Sequence, residues 1–285
     1  MNEQWNLVIK PKTGWFDIDV KNIWKYRDLI KLFVRRSFVS SYKQTVLGPA
    51  WAIINPLCST VIFTIIFGNI AGLAAEGVPS FIFFMAGNIT WGYFANCLNA
   101  TSGTFTGNAG IFGKVYFPRL VMPITTVISN LISFAIQYVF FLGFWVYFLI
   151  TTDSIEPNWF ILMTPILLVH MALMGLGIGI ICSSLTTKYR DLAMLVAFGT
   201  QLWMYASPIA YDMNSMSVFA SGGKYHALYM LNPVTPIVNL FRYAYLGIGE
   251  IEWLFYGISW IITLVVLFIG ILLFSKVEKT FMDTV

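Results

Sequence analysis

Charge in this chain is almost confined to the short gaps between long uncharged stretches, and the gaps alternate in sign. Six apolar segments can be read, at about 49–70, 81–105, 121–150, 159–183, 192–211 and 253–275. Each has the roughly 20 residues that a helix needs to cross a hydrocarbon core. Of the 17 Lys and Arg residues, nine precede the first segment, and two each follow the second, fourth and sixth. The gaps after the first and third segments hold none, and the long gap after the fifth holds only Lys224 and Arg242. The positive-inside rule then predicts six spans with both termini cytoplasmic.

A chain that is 58% hydrophobic and only 11% charged is not an ordinary soluble domain, where charge runs near a quarter. The expected organisation is a cytoplasmic N-terminal segment, 1–48, followed by a transmembrane domain, 49–285, with no room for a second folded unit. The net charge of +4 reads as topology and attraction to anionic lipid, not to nucleic acid. Residues 1–30 contain no apolar stretch of the signal-peptide kind, so the first span is expected to act as an uncleaved insertion signal. Cys58, Cys97 and Cys182 fall inside apolar spans without C-x-x-C spacing and read as small buried hydrophobes. His170 and His226 have no Cys or carboxylate at ligand spacing, so no metal site is expected.

Residues 21–38 alternate at helical period. Ile23, Tyr26, Ile30, Phe33, Val34 and Phe38 share one face, and Lys21, Lys25, Asp28, Lys31 and Arg35 the other. This predicts a helix lying in the membrane interface, with its cations toward headgroups or a protein partner and Trp24 as an anchor. The plainer alternative is an orientation signal and nothing more. Gly48-Pro49 then breaks the chain into the first span.

The gap at 107–119 is rich in large apolar residues although it faces water, which suggests burial against another protein. Pro118 and Pro123 limit how a helix can run through it. Gly113-Lys114 is not a phosphate-binding loop. That motif wants Gly where Asn108 stands and Ser or Thr where Val115 stands, and no strand precedes it. The gap at 186–191 places Arg190 beside Asp191, a partner contact or a self-neutralised topological stop. On the outward side, 212–252 is far longer than a turn requires. Its apolar stretch 227–240 is too short to cross and is interrupted by Asn232-Pro233 and Pro236, so it reads as a re-entrant gate or as a surface loop.

These pieces, in order, are Tyr42-Lys43-Gln44-Thr45-Val46-Leu47-Gly48-Pro49 through Asn55-Pro56, Lys114-Val115-Tyr116-Phe117-Pro118-Arg119, Tyr189-Arg190-Asp191-Leu192, Ser207-Pro208-Ile209-Ala210-Tyr211, Leu231-Asn232-Pro233 and Glu278-Lys279-Thr280-Phe281-Met282-Asp283. With this set the chain resembles the permease subunits of polysaccharide-exporting ABC transporters of the type-2 exporter superfamily, over nearly its whole length. The resemblance implies an all-α membrane protein in the bacterial inner membrane. It implies a homodimer that works with two ATP-binding subunits on lipid-linked polysaccharide such as O-antigen, capsule or teichoic acid. No cofactor is expected on this chain, ATP and magnesium being held by the partner. The resemblance also implies coupling roles for Arg35, Lys114, Tyr116, Phe117, Arg119, Arg190 and Asp191, and an outer gate at Asn232, Pro233 and Pro236. The first 20 residues, with Trp5, Trp15 and Phe16, extend beyond the family's usual start.

A sugar polymer is polar at its hydroxyls and apolar on its C–H faces, so a wall that passes it should offer aromatic rings with few fixed charges. Trp51, Trp91, Tyr93, Phe94, Trp203, Tyr205 and Tyr211 have that character. Asn55, Asn88, Asn96 and Thr90 are candidate hydroxyl partners. The same rings also suit an interfacial aromatic belt. Gly175, Gly177 and Gly179 read as a site of close helix packing.

Overall fold

The computed structural model describes residues 20–43, 45–189 and 191–284, with side chains from 23 to 278 within them. Among these residues every regular element is helical. Two helices lead in, α1 (Val20–Lys25) and α2 (Arg27–Tyr42). The first apolar segment is a continuous rod: a 3-10 turn over Gly48–Ala50, then α3 (Trp51–Phe63), then a π-helical end, Thr64–Ile70. After it come α4 (Ser80–Ser102), α5 (Thr104–Phe112) and α6 (Val121–Thr151). A 3-10 turn, Trp159–Met163, runs into α7 (Thr164–Thr186). The remaining helices are α8 (Leu192–Tyr205), the short α9 (His226–Met230), α10 (Thr235–Leu246) and α11 (Trp253–Thr284).

Four rods are long and apolar enough to cross a bilayer: Gly48–Ile70, Val121–Thr151, Trp159–Thr186 and Trp253–Glu278. They are the first, third, fourth and sixth segments of the sequence. The second is α4, whose 23 residues reach about 35 Å at 1.5 Å per residue but are diluted by Asn88, Asn96 and Asn99. The fifth is α8, apolar but only 14 residues long. It stops at Tyr205, just before Pro208, which bars the preceding residue from helical backbone.

The composition of α4 follows from its place. Sixteen of its residues are buried, and α3, α6, α7, α8 and α10 all pack on it. A helix walled by protein can carry polar side chains if their hydrogen bonds close internally. Thr90 Oγ1 donates to the Ala86 carbonyl at 2.8 Å, and Asn88 Nδ2 donates to Thr60 Oγ1 of α3 at 3.0 Å. Between α4 and α7 the backbones nearly touch. A Cβ on Gly175 would lie 2.8 Å from the Cys97 Cβ, and one on Gly179 would lie 2.6 Å from the Thr101 Cβ. Gly177 turns the other way, where a Cβ would meet the Leu267 Cα of α11 at 3.0 Å. Small residues at alternate positions of α7 thus admit α4 on one side and α11 on the other. His170 adds a polar tie to α11, bonding Thr263 Oγ1 at 3.0 Å and stacking on Trp260.

The lead-in helix is broken where one helix over 21–38 was expected. At Tyr26 the N–H turns back to the Ile23 carbonyl, closing a tighter turn between α1 and α2. Its apolar face does not lie on lipid alone. Ile23, Tyr26, Ile30 and Phe33 pack on a second core of Phe105, Phe112, Phe117, Val121, Ile180 and Phe274.

Gly179→Ala sets two effects against each other. The substitution gains about 1 kcal/mol of helix propensity but forces a methyl into a filled contact, which costs roughly 1–3 kcal/mol. Overpacking into the facing α4 wins, so the variant is expected to unfold at lower temperature in detergent. Gly143 of α6 has nothing within 4 Å of an added Cβ, and Gly143→Ala should be neutral or stabilising. Equal melting shifts for the two variants would refute the close-packing account.

Candidate functional site

A polar groove of about 560 Å³ lies between α3, α4, α6 and α8. Its rings are Tyr42, Trp51, Phe63, Trp91 and Tyr205, and its polar side chains include Asn55, Asn88, Asn96, Gln137 and Gln201. Helical spacing produces this wall. Asn88, Trp91 and Asn96 fall on one face of α4, while Ser133 and Gln137 stand four apart on α6. Trp51, Asn55, Asn96, Gln201 and Tyr205 are exposed along it, and Asn88 and Trp91 are buried at its base. At the α2 end Tyr42 OH meets Ser133 Oγ at 3.3 Å.

The other four expected rings lie elsewhere. Tyr93 is buried against Phe134, two residues round the helix from Trp91. Phe94 is fully buried, edge-on to both Trp91 and Trp203, so it props the groove from behind. Thr90 spends its hydroxyl on its own helix. Trp203 opens instead on a neighbouring cavity of about 410 Å³ with Tyr225, Leu228, Tyr229, Asn232 and Pro233. Tyr211 hydrogen-bonds the hydroxyl of Tyr229 at the rim of the 212–252 hairpin.

Asn232 fastens that hairpin to the end of α8. Its Oδ1 accepts from Trp203 Nε1 at 3.0 Å and from the Val234 N–H at 3.2 Å. Its Nδ2 donates to Ser207 Oγ at 2.8 Å and to the Ala206 carbonyl at 3.1 Å. The Pro233 carbonyl accepts from Ser259 Oγ of α11 at 2.6 Å, and Pro236 sits buried in the first turn of α10.

Two further ties were not singled out as site residues by sequence. Arg242 of α10 is buried, donates to the carbonyls of Pro208 and Ile209, and lies 3.7 Å above the ring of Phe83. Burial pushes the neighbouring Asp212 carboxyl upward, with the Arg242 charge opposing it. His226 has a carboxylate partner after all. Its Nε2 lies 2.7 Å from Glu252 Oε1, and its Nδ1 2.8 Å from the Phe219 carbonyl. The fold supplies that partner from 26 positions away, beyond any local ligand spacing. The exception of Lys224 and Arg242 to the charge pattern was the available signal for this region.

On the opposite side, Arg35 is exposed on α2, as are Lys114 and Tyr116 beyond α5. Phe117 instead is buried between Phe33 and Phe112. Arg119 is half-buried, with Nη1 donating to the Glu278 carbonyl at 2.6 Å, and burial lowers its pKa against the pull of Glu278. Asp191 is exposed at the start of α8. Arg190 lies outside the described residues, as do the first 19 positions and the side chains of the 279–283 motif.

The family model for the ABC-2 type transporter matches residues 28–246. Among curated proteins, the O-antigen export system permease protein RfbA of Klebsiella pneumoniae is 26% identical over 258 residues, covering 90% of this chain and 94% of that protein. The RfbA protein of Myxococcus xanthus is 22% identical, covering 78% and 82%. The polysialic acid transport protein KpsM of Escherichia coli is 26% identical, covering 84% and 89%.

Asn232→Leu leaves the half-buried Trp203 N–H without its acceptor, at a cost of about 1–3 kcal/mol. A clear drop in melting temperature is expected, accompanied by a change in tryptophan emission. Wild-type melting with unchanged emission would remove Asn232 as the fastening of the hairpin.

Proposed function

The chain belongs to the ABC-2 type transporter family, and from that premise we propose that it is the membrane-spanning subunit of an exporter of lipid-linked polysaccharide of the O-antigen kind. Two copies of the chain form the pathway in the bacterial inner membrane, and ATP is hydrolysed on two separate subunits. Each copy crosses six times with both termini in the cytoplasm, α4 and α8 completing the four apolar rods. The observation that carries this reading is the groove in which Trp51 and Tyr205 stand exposed among carboxamides, with Trp91 buried beneath them. Such rings stack on sugar C–H faces while the carboxamides both donate to and accept from hydroxyls. The names of the relatives, which are O-antigen and polysialic acid transport proteins, point the same way.

Movement enters from the cytoplasmic side. Exposed Arg35, Lys114, Tyr116 and Asp191, with Arg190, form the surface that meets the ATP-binding subunits. Phe117 and Arg119 act one step behind it. The Arg119–Glu278 bond and the Phe33–Phe117 contact join the 113–120 segment to α11 and α2. A displacement of that segment therefore carries both helices, and α2 packs along α6 at the groove. The hairpin held by Asn232, Pro233 and Pro236 closes the outer end.

Tyr116→Ala and Asp191→Ala alter exposed side chains, so the protein should fold and remain monodisperse. Interface residues that anchor a partner are worth about 2 kcal/mol or more, so ATP-dependent glycan export by the reconstituted complex should fall roughly thirtyfold. Hydrolysis should require the partner subunits. Unchanged export by both variants would remove these residues from coupling, and ATPase activity by this chain alone would refute the division of labour.

A further inference from the structure

The groove is polar without being charged. Among the described residues that line it, none is Lys, Arg, His, Asp or Glu. Its exposed polar groups are the amides of Asn55, Asn96 and Gln201 and the hydroxyl of Ser59, alongside the rings of Trp51 and Tyr205. Charged and polar side chains with close partners stand elsewhere, among them Arg242 with two carbonyls and Phe83, and His226 against Glu252. Scarcity of charge inside a membrane protein has a general cause, since ionised side chains are costly there. The consequence for a ligand holds whatever the cause.

We propose that the groove selects an uncharged glycan segment and discriminates against a polyanionic one. The inference rests on the exporter reading and names the chemical class of its substrate. A hydroxyl donates and accepts, and a carboxamide answers both roles at full valence. A carboxylate on each sugar only accepts, and it brings a negative charge that amide dipoles do not neutralise. Taking such a charge out of water without a counter-ion is heavily unfavourable, and the penalty recurs with every sugar that enters. Aromatic faces add to the discrimination, because the negative face of a ring attracts cations and repels anions. Substrate charge is therefore read by the absence of compensation.

The test uses the complete complex of this chain with its ATP-binding subunits in proteoliposomes. It supplies two fluorescent lipid-linked oligosaccharides of equal length. One is built of neutral hexoses, and the other has each C6 hydroxymethyl replaced by a carboxylate. ATP-dependent translocation of the carboxylated glycan is expected to be roughly tenfold slower or worse, given the desolvation penalty per charge. Gln201→Lys places a cation on the exposed wall and should raise the rate for the carboxylated glycan relative to the neutral one. Equal rates for the two glycans in the wild-type complex would overturn the proposal while leaving the exporter reading intact. Translocation of neither glycan, with ATP hydrolysis intact, would overturn the exporter reading itself.

Discussion

Gly175 and Gly179 bring α7 so close to α4 that an added methyl would reach the Cys97 and Thr101 side chains and the Phe94 and Leu98 backbone. The other helices assemble around that contact. In lipid there is no hydrophobic drive to join two apolar helices, so association depends on close packing and internal hydrogen bonds. Once α7 covers one side of α4, and α3, α6, α8 and α10 cover the rest, α4 no longer needs to be soluble in hydrocarbon. It can carry Asn88, Thr90, Asn96 and Asn99 through the middle of the protein. The groove exists because one helix was relieved of facing lipid.

That relief also explains why the groove is lined as it is. Polar groups at membrane depth must bond to protein, to water in a cavity, or to a ligand. Asn88 takes the first course through Thr60, and Thr200 bonds to Asn99 Oδ1 at 3.3 Å. Asn55, Asn96 and Gln201 stand exposed in the groove, where they are open to water or substrate. Phe94 and Trp203 hold the buried Trp91 ring edge-to-face from behind, which fixes its orientation at the base of the groove.

The legible part of this architecture was the part governed by averages over many residues. Hydropathy marks six segments, four of which are long apolar rods among the described residues, and the charge map separates gaps rich in cations from gaps that lack them. The placing of individual rings was less legible. Residue type identified Trp91, Tyr93 and Phe94 as one aromatic group, but successive helical residues are about 100° apart. Tyr93 therefore points away from Trp91 and into the α6 contact. Helical period alone predicts that divergence. Nothing local could have joined His226 to Glu252, or Arg119 to the Glu278 carbonyl 159 positions later, because those pairs are made only by tertiary closure.

Arg242 shows how the exception in the charge pattern is accommodated. A cation in a gap expected to face outward departs from the positive-inside pattern, and a buried one must be matched by acceptors. Here the two terminal nitrogens reach adjacent carbonyls just past α8, and the planar guanidinium lies over Phe83 of α4. Only a flat, forked cation can serve both at once, since a lysine would offer one point charge and no face to stack. The neighbouring helix is shaped to admit it: a Cβ at Gly87 would lie 2.6 Å from Arg242 Nη2. Gly87, Phe83 and the carbonyls of Pro208 and Ile209 thus form a socket that joins α10 to α4 and to the end of α8. The residue that looked misplaced on the charge map is the one that seats the 212–252 hairpin on α4 and on the end of α8.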